Sequence, residues 1–250
     1  MISQTDKVAH LAALHTPGDP LILFNIWDAG SARAVEKAGA KALATGSFSV
    51  AGAQGFGDGE AMPLDLVIAN ARRIAMLTDL PVSLDFEAGY AEDLDGVRTN
   101  SELLVDAGIA GINMEDQLIG SDELRAIAEQ SARIAVAARA GLFVNARTDV
   151  FIKAPADAHD DALVAKALER AAAYSDAGAR SFFVPMLTDA DLIRAVCDRS
   201  PVPVNVMMKP GTPDCPTLAA LGVARISYGP GPWRNAMAWL EDQARSIFGQ

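Results

Sequence analysis

A single (β/α)₈ barrel of the TIM type, one domain over residues 1–250, is the fold class this sequence predicts, and three observations carry that expectation. Eight short apolar runs recur along the chain. Segments with helical spacing fill the gaps between them. Five times a helical run ends in Ala-Gly or Leu-Gly and passes at once into an apolar run, where a left-handed glycine closes the last helical turn. Strands and helices alternating over roughly 250 residues are the pattern of such a barrel. A doubly wound open sheet is the alternative use of the same alternation.

The first strand is read at Leu21–Asn25 and the helix after it at Ser31–Lys37. Ala38-Gly39 then leads into the second strand, which ends at Thr45. Leu64–Leu77 is the next helix, and Pro81 opens the third strand. Helix Gly96–Asp106 passes through Ala107-Gly108 into the fourth strand, which ends at Asn113-Met114. Helix Asp122–Arg139 leads through Ala140-Gly141 to Asn145, and Asp160–Ser175 through Ala177-Gly178 to Val184. Asp189–Asp198 precedes a seventh strand entered through Pro201 and Pro203. Thr217–Ala220 leads through Leu221-Gly222 into the eighth, and Pro232–Phe248, with Trp233, Met237, Trp239 and Leu240, reads as an amphipathic final helix. No linker, low-complexity tract or charge block divides the chain.

Half the residues are hydrophobic and 21% are charged, enough for a large core. The net charge of −11 argues against a nucleic-acid partner, which would need a basic surface, and gives no help to binding an anionic membrane. No apolar run approaches the roughly 18 residues of a membrane span. Met1 to Gly18 lacks a basic segment followed by an apolar run, so no secretory signal is expected. Cys197 and Cys215 are too few for a disulfide framework, and a reduced, cytoplasmic setting is the expectation. His10, His15 and His159 lie away from the strand ends, so a His-based zinc site is not expected.

In such a barrel the chemistry sits at the C-terminal ends of the strands. The third strand runs into Asp85-Phe86-Glu87-Ala88-Gly89-Tyr90, and strand alternation puts Asp85 and Glu87 on one face. Their mutual repulsion is relieved by a hard cation such as Mg²⁺, which binds through one or two carboxylates and keeps its other positions for water or substrate. Glu115, on a neighbouring strand about 4.8 Å away, and Asp58, on the glycine-rich loop after Thr45-Gly46-Ser47-Phe48-Ser49, are expected to face the same point. Four acids around one point imply a metal. Arg147 is a planar fork suited to a carboxylate or phosphate, and a structural salt bridge to those acids is its competing reading. Backbone N–H groups near Ser47 and Phe48 are placed to meet a developing oxyanion. Trp27 and Phe24 are expected to wall the pocket, Tyr90 to wall it or take part in chemistry, and Asn205 to reach it from the seventh strand.

These residues resemble the isocitrate lyase/phosphoenolpyruvate mutase superfamily, over roughly Leu21 to Trp233. The specific parts are Asp85-Phe86-Glu87-Ala88-Gly89-Tyr90, Asn113-Met114-Glu115-Asp116, Asn145-Ala146-Arg147, and Thr45-Gly46-Ser47-Phe48-Ser49 followed by Asp58. The resemblance implies a barrel whose last helix is often swapped between subunits, in a homodimer or homotetramer. It implies Mg²⁺ chemistry, with Mn²⁺ as a substitute, on 2-keto or 2-hydroxy acids through enolate-like pyruvate intermediates. Asp85 would be the most direct metal ligand, with Asp58, Glu87 and Glu115 helping directly or through water. Thr45, Gly46, Ser47, Phe48, Trp27, Tyr90, Arg147 and Asn205 would surround the substrate, and Asp58, Ser47 and Arg147 would serve the reaction. Glu87 stands where the family more often has Asp.

The departures decide the subclass. The Lys-Lys/Arg-Cys-Gly-His loop of the isocitrate and methylisocitrate lyases is missing, since the chain reads Glu115-Asp116-Gln117-Leu118-Ile119-Gly120-Ser121-Asp122-Glu123 there. The mutase gating loop, with its Lys and Asn, is missing too. What remains is a Mg²⁺-dependent carbon–carbon lyase or decarboxylase of a small 2-keto or 2-hydroxy dicarboxylic acid. Phosphonopyruvate hydrolase, or mutase chemistry on a carboxyphosphonate or phosphoenolpyruvate, is the first alternative, and a non-catalytic ligand-binding barrel the second.

Overall fold

The computed structural model describes residues 2–249. Its strands are β1 (Leu21–Leu23), β2 (Leu43–Ala44), β3 (Val82–Asp85), β4 (Gly111–Glu115), β5 (Phe143–Arg147), β6 (Ser181–Phe183), β7 (Val204–Met207) and β8 (Arg225–Ser227). All pair in parallel, in the order β1-β8-β7-β6-β5-β4-β3-β2. A parallel bridge between Ile26 and Thr45 joins the two ends, with Ile26 N–H donating to Ala44 O at 2.8 Å. Strands that follow chain order around a closed ring make a (β/α)₈ barrel, and the doubly wound sheet, whose order reverses at a switch point, is excluded.

The helices are α1 (Gln4–Ala13), α2 (Ala29–Lys37), α3 (Ser47–Ala53), α4 (Leu64–Ala75), α5 (Leu94–Asp106), α6 (Ile127–Arg139), α7 (Asp161–Asp176), α8 (Ala190–Arg199), α9 (Cys215–Ala220) and α10 (Gly231–Phe248). Three helices differ from the sequence reading. α6 begins at Ile127 rather than Asp122, because Leu124 pairs with Gln117 in an antiparallel bridge and Arg125 N–H donates to Asp116 O at 2.7 Å. α3 is a helix where a turn and glycine-rich loop were expected. α1 was not anticipated. Ser3 caps it by accepting from Asp6 N–H, and its Leu11 packs with Leu21, Leu23, Ala110 and Phe143. A Cβ on Gly111 would lie 2.7 Å from Leu11 and 2.9 Å from Phe143 O, so only glycine lets α1 close over the N-terminal ends of the strands.

Residues on the outer faces of the strands, among them Ile112, Met114, Val144, Phe182, Val206 and Ile226, are buried under the helices. Two apolar surfaces are left open. Outside β1, Ile22 is 41% and Phe24 47% exposed, and α10 presents Trp239 at 64% and Leu240 at 53%. Among the described residues no helix is long and apolar enough to cross a membrane.

Candidate active site

β3 carries Asp85 to the barrel rim, where its neighbours fix it. Ser47 N–H and Ser47 Oγ each donate to Asp85 Oδ2 at 3.0 Å, and Asp85 N–H donates to Thr45 Oγ1 at 3.0 Å. The other carboxylate oxygen, Oδ1, is buried with no partner. An ionised oxygen left so is costly unless a cation or donor completes it.

Glu87 follows differently from the sequence reading. β3 ends at Asp85, and Glu87 has φ +49, so strand alternation does not reach it. Its carboxylate accepts from Tyr90 Oη at 2.5 Å and from Glu60 N–H at 2.7 Å, and Glu60 accepts in turn from Tyr90 N–H at 2.7 Å. Glu60 (φ +58), Glu87 (φ +49) and Tyr90 (φ +53) are all non-glycine residues in the left-handed region. Each such residue costs on the order of 1–3 kcal/mol, and strain of this kind gathers at functional sites. Three mutually bonded residues hold it here.

On β4 and β5 the register sets Glu115 directly opposite Arg147. Arg147 Nη1 lies 2.7 Å from Glu115 Oε2, while its Nε and Nη2 donate to the two oxygens of Asp149 at 2.6 and 2.9 Å. Burial opposes its charge, but Glu115 and Asp149 outweigh it and hold the guanidinium firmly protonated. Asp116, next along, is fully buried and accepts from Asp149 N–H, Arg170 Nη1 and Tyr174 Oη at 2.9, 3.0 and 2.8 Å.

These residues surround a cleft of about 480 Å³, lined among others by Ser47, Phe48, Asp58, Asp85, Asn113 and Arg147. An adjoining acidic pocket of about 420 Å³ shares Ser47, Asp58, Gln117 and Arg147 and adds Glu87 and Glu115. Burial and the nearby Asp85 push the Asp58 carboxyl up, against a Ser47 hydrogen bond that lowers it. Burial likewise pushes Glu87 up to about 7, against the Tyr90 hydroxyl.

The expected convergence of four acids needs correcting. Among the described residues no three carboxylates, histidines or cysteines form a metal-holding group, because Glu115 turns to Arg147 and Glu87 to Tyr90 and Glu60. A Mg²⁺ ion needs only one or two carboxylates. The partnerless Asp85 Oδ1, with the raised Asp58 beside it, fits that requirement.

Other expected site residues fall in different places. Gly46, Ser47 and Phe48 line the cleft. Thr45 is buried beneath it, its hydroxyl spent on Asp85 N–H. Asn205 is fully buried in the barrel interior, bonded to Asn145 and to the carbonyls of Val206 and Arg225. Trp27 packs against the core, its carbonyl accepting from Asn70, and Phe24 lies outside the barrel against Tyr228. Tyr90 lines side pockets rather than the cleft. Arg147 reaches the cleft, but its fork is engaged with Asp149.

The structure adds one residue that the sequence reading missed. Arg234, in the first turn of α10, lines the cleft with its guanidinium 4.6 Å from the Phe48 ring centroid, and it forms no ion pair among the described residues. Its signal was a basic residue in the first turn of a helix, where the dipole disfavours positive charge.

The family model for phosphoenolpyruvate phosphomutase matches residues 11–248. A provisionally named phosphonomutase from Burkholderia cenocepacia J2315 superposes with a TM-score of 0.94 at 47% identity, covering 99% of this chain and 100% of that one. An uncharacterized protein of Mycobacterium tuberculosis H37Rv is 33% identical over 94% of this chain and 87% of its own length. The 2-methylisocitrate lyase of Escherichia coli K12 is 29% identical over 77% of this chain and 70% of its own. Other sequence relatives include an oxaloacetate decarboxylase of Pseudomonas fluorescens SBW25, and solved structures of a phosphonopyruvate hydrolase and a phosphoenolpyruvate phosphomutase share the fold.

Proposed function

The chain belongs to the phosphoenolpyruvate phosphomutase family, and from that membership we propose a Mg²⁺-dependent carbon–carbon lyase or decarboxylase of a small 2-keto or 2-hydroxy dicarboxylic acid. The observation that carries this reading is Asp85, a half-buried residue with one carboxylate oxygen pinned by Ser47 and the other buried and partnerless beside the cleft. Asp85 and Asp58 would hold the cation, with Glu87 and Glu115 reaching it through water. When bound, Mg²⁺ supplies a Lewis acid for the substrate's oxygens.

The chain's own groups do the rest. Arg234, a cleft cation without an ion pair among the described residues, takes a substrate carboxylate, and Arg147 adds a charge whose position Glu115 and Asp149 hold rigidly. In a 2-keto acid the electron pair of the breaking carbon–carbon bond moves through the carbonyl onto the 2-oxygen; in a 2-hydroxy acid the hydroxyl proton leaves to solvent, the 2-oxygen becomes the carbonyl, and the pair goes to the carboxylate of the departing fragment. In the 2-keto case the 2-oxygen needs a donor. Ser47 N–H is already given to Asp85, so Phe48 N–H, which has no acceptor within α3, is the first-turn donor left for that oxygen. Decarboxylation needs no base to start, in keeping with the missing cysteine loop. The final proton comes from solvent, because Tyr90 spends its hydroxyl on Glu87 and Tyr228 shares its own with Cys215 Sγ at 3.7 Å.

A second reading is hydrolysis or rearrangement of a phosphonate. Arg234 favours it, since an unpaired guanidinium accepts a phosphonate as readily as a carboxylate. One experiment separates the two. Oxaloacetate, 2-methylisocitrate, 2,3-dimethylmalate and phosphonopyruvate are followed by ¹H and ³¹P NMR with and without Mg²⁺, using Asp85→Ala as control. Mg²⁺-dependent pyruvate from a carbon acid supports the lyase. Phosphate release moves the assignment to the phosphonate branch, and full activity in Asp85→Ala overturns both.

The open apolar surfaces support self-association. Outside β1, Leu21, Ile22, Phe24, Val35 and Ala38 border a groove of about 330 Å³, at the place where a barrel strand normally has a helix over it. The exposed face of α10 from a second copy would cover it, giving the exchanged-helix dimer or tetramer. Trp239→Glu is expected to yield monomers in sedimentation velocity, and an unchanged assembly would reject the exchange.

A further inference from the structure

Beneath the cleft the barrel interior is polar where most barrels are aliphatic. Asn113, Asn145, Ser181, Asn205 and Arg225 are all buried and form one chain of hydrogen bonds. Ser181 Oγ donates to Asn145 Oδ1 at 2.6 Å, and Asn145 Nδ2 donates to Asn113 Oδ1 at 2.8 Å and to Asn205 Oδ1 at 3.0 Å. Arg225 Nη2 donates to Asn113 Oδ1 at 3.0 Å. The Arg225 guanidinium is fully buried, its Nε and Nη1 have no partner, and no carboxylate pairs with it among the described residues. Leaving a lone guanidinium inside a barrel is costly, and a methionine of similar length would avoid the cost.

The chemistry of the donors shows what that cost accomplishes. Arginine carries N–H groups and no acceptor, so the Asn113 atom that faces it must be the oxygen. Amide orientation is normally ambiguous, but here Arg225 and Asn145 both demand the same assignment. With the oxygen turned inward, the Asn113 NH₂ group is turned away from the network. Asn113 lines the cleft, and its Cα is the cross-strand partner of Asp85. Among the described residues that NH₂ group has no acceptor, and both side-chain hydrogen bonds of Asn113 are made by its oxygen.

We propose that Asn113 is a substrate-contacting donor on the cleft floor and that Arg225 is a positioning residue which holds its amide in that orientation. The pair equips the floor to receive an acceptor, a carboxylate or carbonyl oxygen of a small oxo acid. The proposal rests on the site reading above and adds to it the residue that meets the ligand from below. Mg²⁺ and Asp85 lie outside its claim.

Oxalate, a small dianion with only acceptor oxygens, is the probe. Its binding to the full-length protein in excess Mg²⁺ is measured by isothermal titration calorimetry for the wild type, Asn113→Ala, Arg225→Met and the double variant, with thermal midpoints recorded for each. Asn113→Ala is expected to weaken oxalate about tenfold. Arg225→Met weakens it several-fold in the wild-type background and has no further effect in Asn113→Ala, the sign of action through Asn113. Asn113→Asp supplies the independent check. It gives Arg225 a carboxylate partner and should raise the thermal midpoint, yet it turns an anionic oxygen to the cleft and should weaken oxalate more than Asn113→Ala does. A purely structural network would move the midpoint and leave the affinity of the folded protein alone. Wild-type binding with unchanged affinity in Asn113→Ala and Asn113→Asp overturns the proposal while leaving the site reading intact. Failure of the wild type to bind oxalate with Mg²⁺ overturns the site reading, and this proposal with it.

Discussion

The ends of β3 and β4 carry the same chemical groups and use them in opposite ways. On β4, Glu115 is met by Arg147, and Asp116 by Arg170, Tyr174 and a backbone N–H, so each acid has a cation and the pairs tie neighbouring elements together. At the end of β3 and just past it, Asp85 and Glu87 are met by hydroxyls and N–H groups only, and one oxygen of Asp85 is met by nothing. A carboxylate whose cation comes from the protein belongs to the scaffold. One whose cation is missing is poised for a ligand. The contrast lies in the partners, because Glu87 is as buried as Glu115, and all four acids sit at or just past strand ends.

That contrast can be broken by exchanging the outcomes of like substitutions. Asp85→Asn should lower Mg²⁺-dependent kcat/KM by 10³-fold or more, about 4 kcal/mol of transition-state stabilisation, with a thermal midpoint within a few degrees of wild type. Asp116→Asn should do the reverse. It strips the charge from a fully buried acid and leaves Arg170 uncompensated, costing about 3 kcal/mol in urea denaturation, while the activity per folded molecule stays near wild type. If Asp85→Asn unfolds the protein and Asp116→Asn only silences it, the comparison has been drawn the wrong way round.

Two smaller effects sharpen it. Glu87, pushed up to about 7 by burial, binds a proton in the folded state between its ordinary value of 4.5 and about 7 that the unfolded chain has already lost. Stability should therefore fall as pH rises through that window in metal-free protein, by about 2 kcal/mol. Saturating Mg²⁺ should flatten the fall, and Glu87→Gln should remove it, as read from unfolding midpoints at pH 5 and pH 8. Arg234→Met should raise KM about tenfold, about 1.4 kcal/mol, with kcat nearly unchanged, because it removes binding common to substrate and transition state. An unchanged KM would return the carboxylate to Arg147.

The architecture was legible because its signals are local. Ala-Gly boundaries, proline entries and apolar runs of strand length are written within a few residues, and they placed all eight strands. Where local signals were weak, the reading missed. In α1 only Lys7 and Leu11 are buried, too narrow a stripe to announce a helix, and its support comes from the floor of the barrel. α3, Ser-Phe-Ser-Val-Ala-Gly-Ala, is a poor helix former that tertiary contacts hold in place. The site was legible as a set of residue types at strand ends, and Arg147 carried two readings, a substrate fork and a salt bridge. Which one the fold adopts depended on the β4–β5 register that sets it opposite Glu115. Asn205 was expected in the cleft because its strand points there, but it lies a layer below the opening, a depth that alternation alone does not encode.

Taken alone, the sequence determined the barrel, the identity of the strand ends and the acidic character of the site, since periodicity, caps and motif spacing act over short stretches of chain. Only the tertiary structure decided which acids are neutralised and which are left open. Asp116 finds Arg170 across 54 residues, and Arg225 finds Asn113 across 112. Charge pairing over such separations follows from barrel closure and register, and until the ring is closed every acid at the rim is equally a scaffold residue or a ligand.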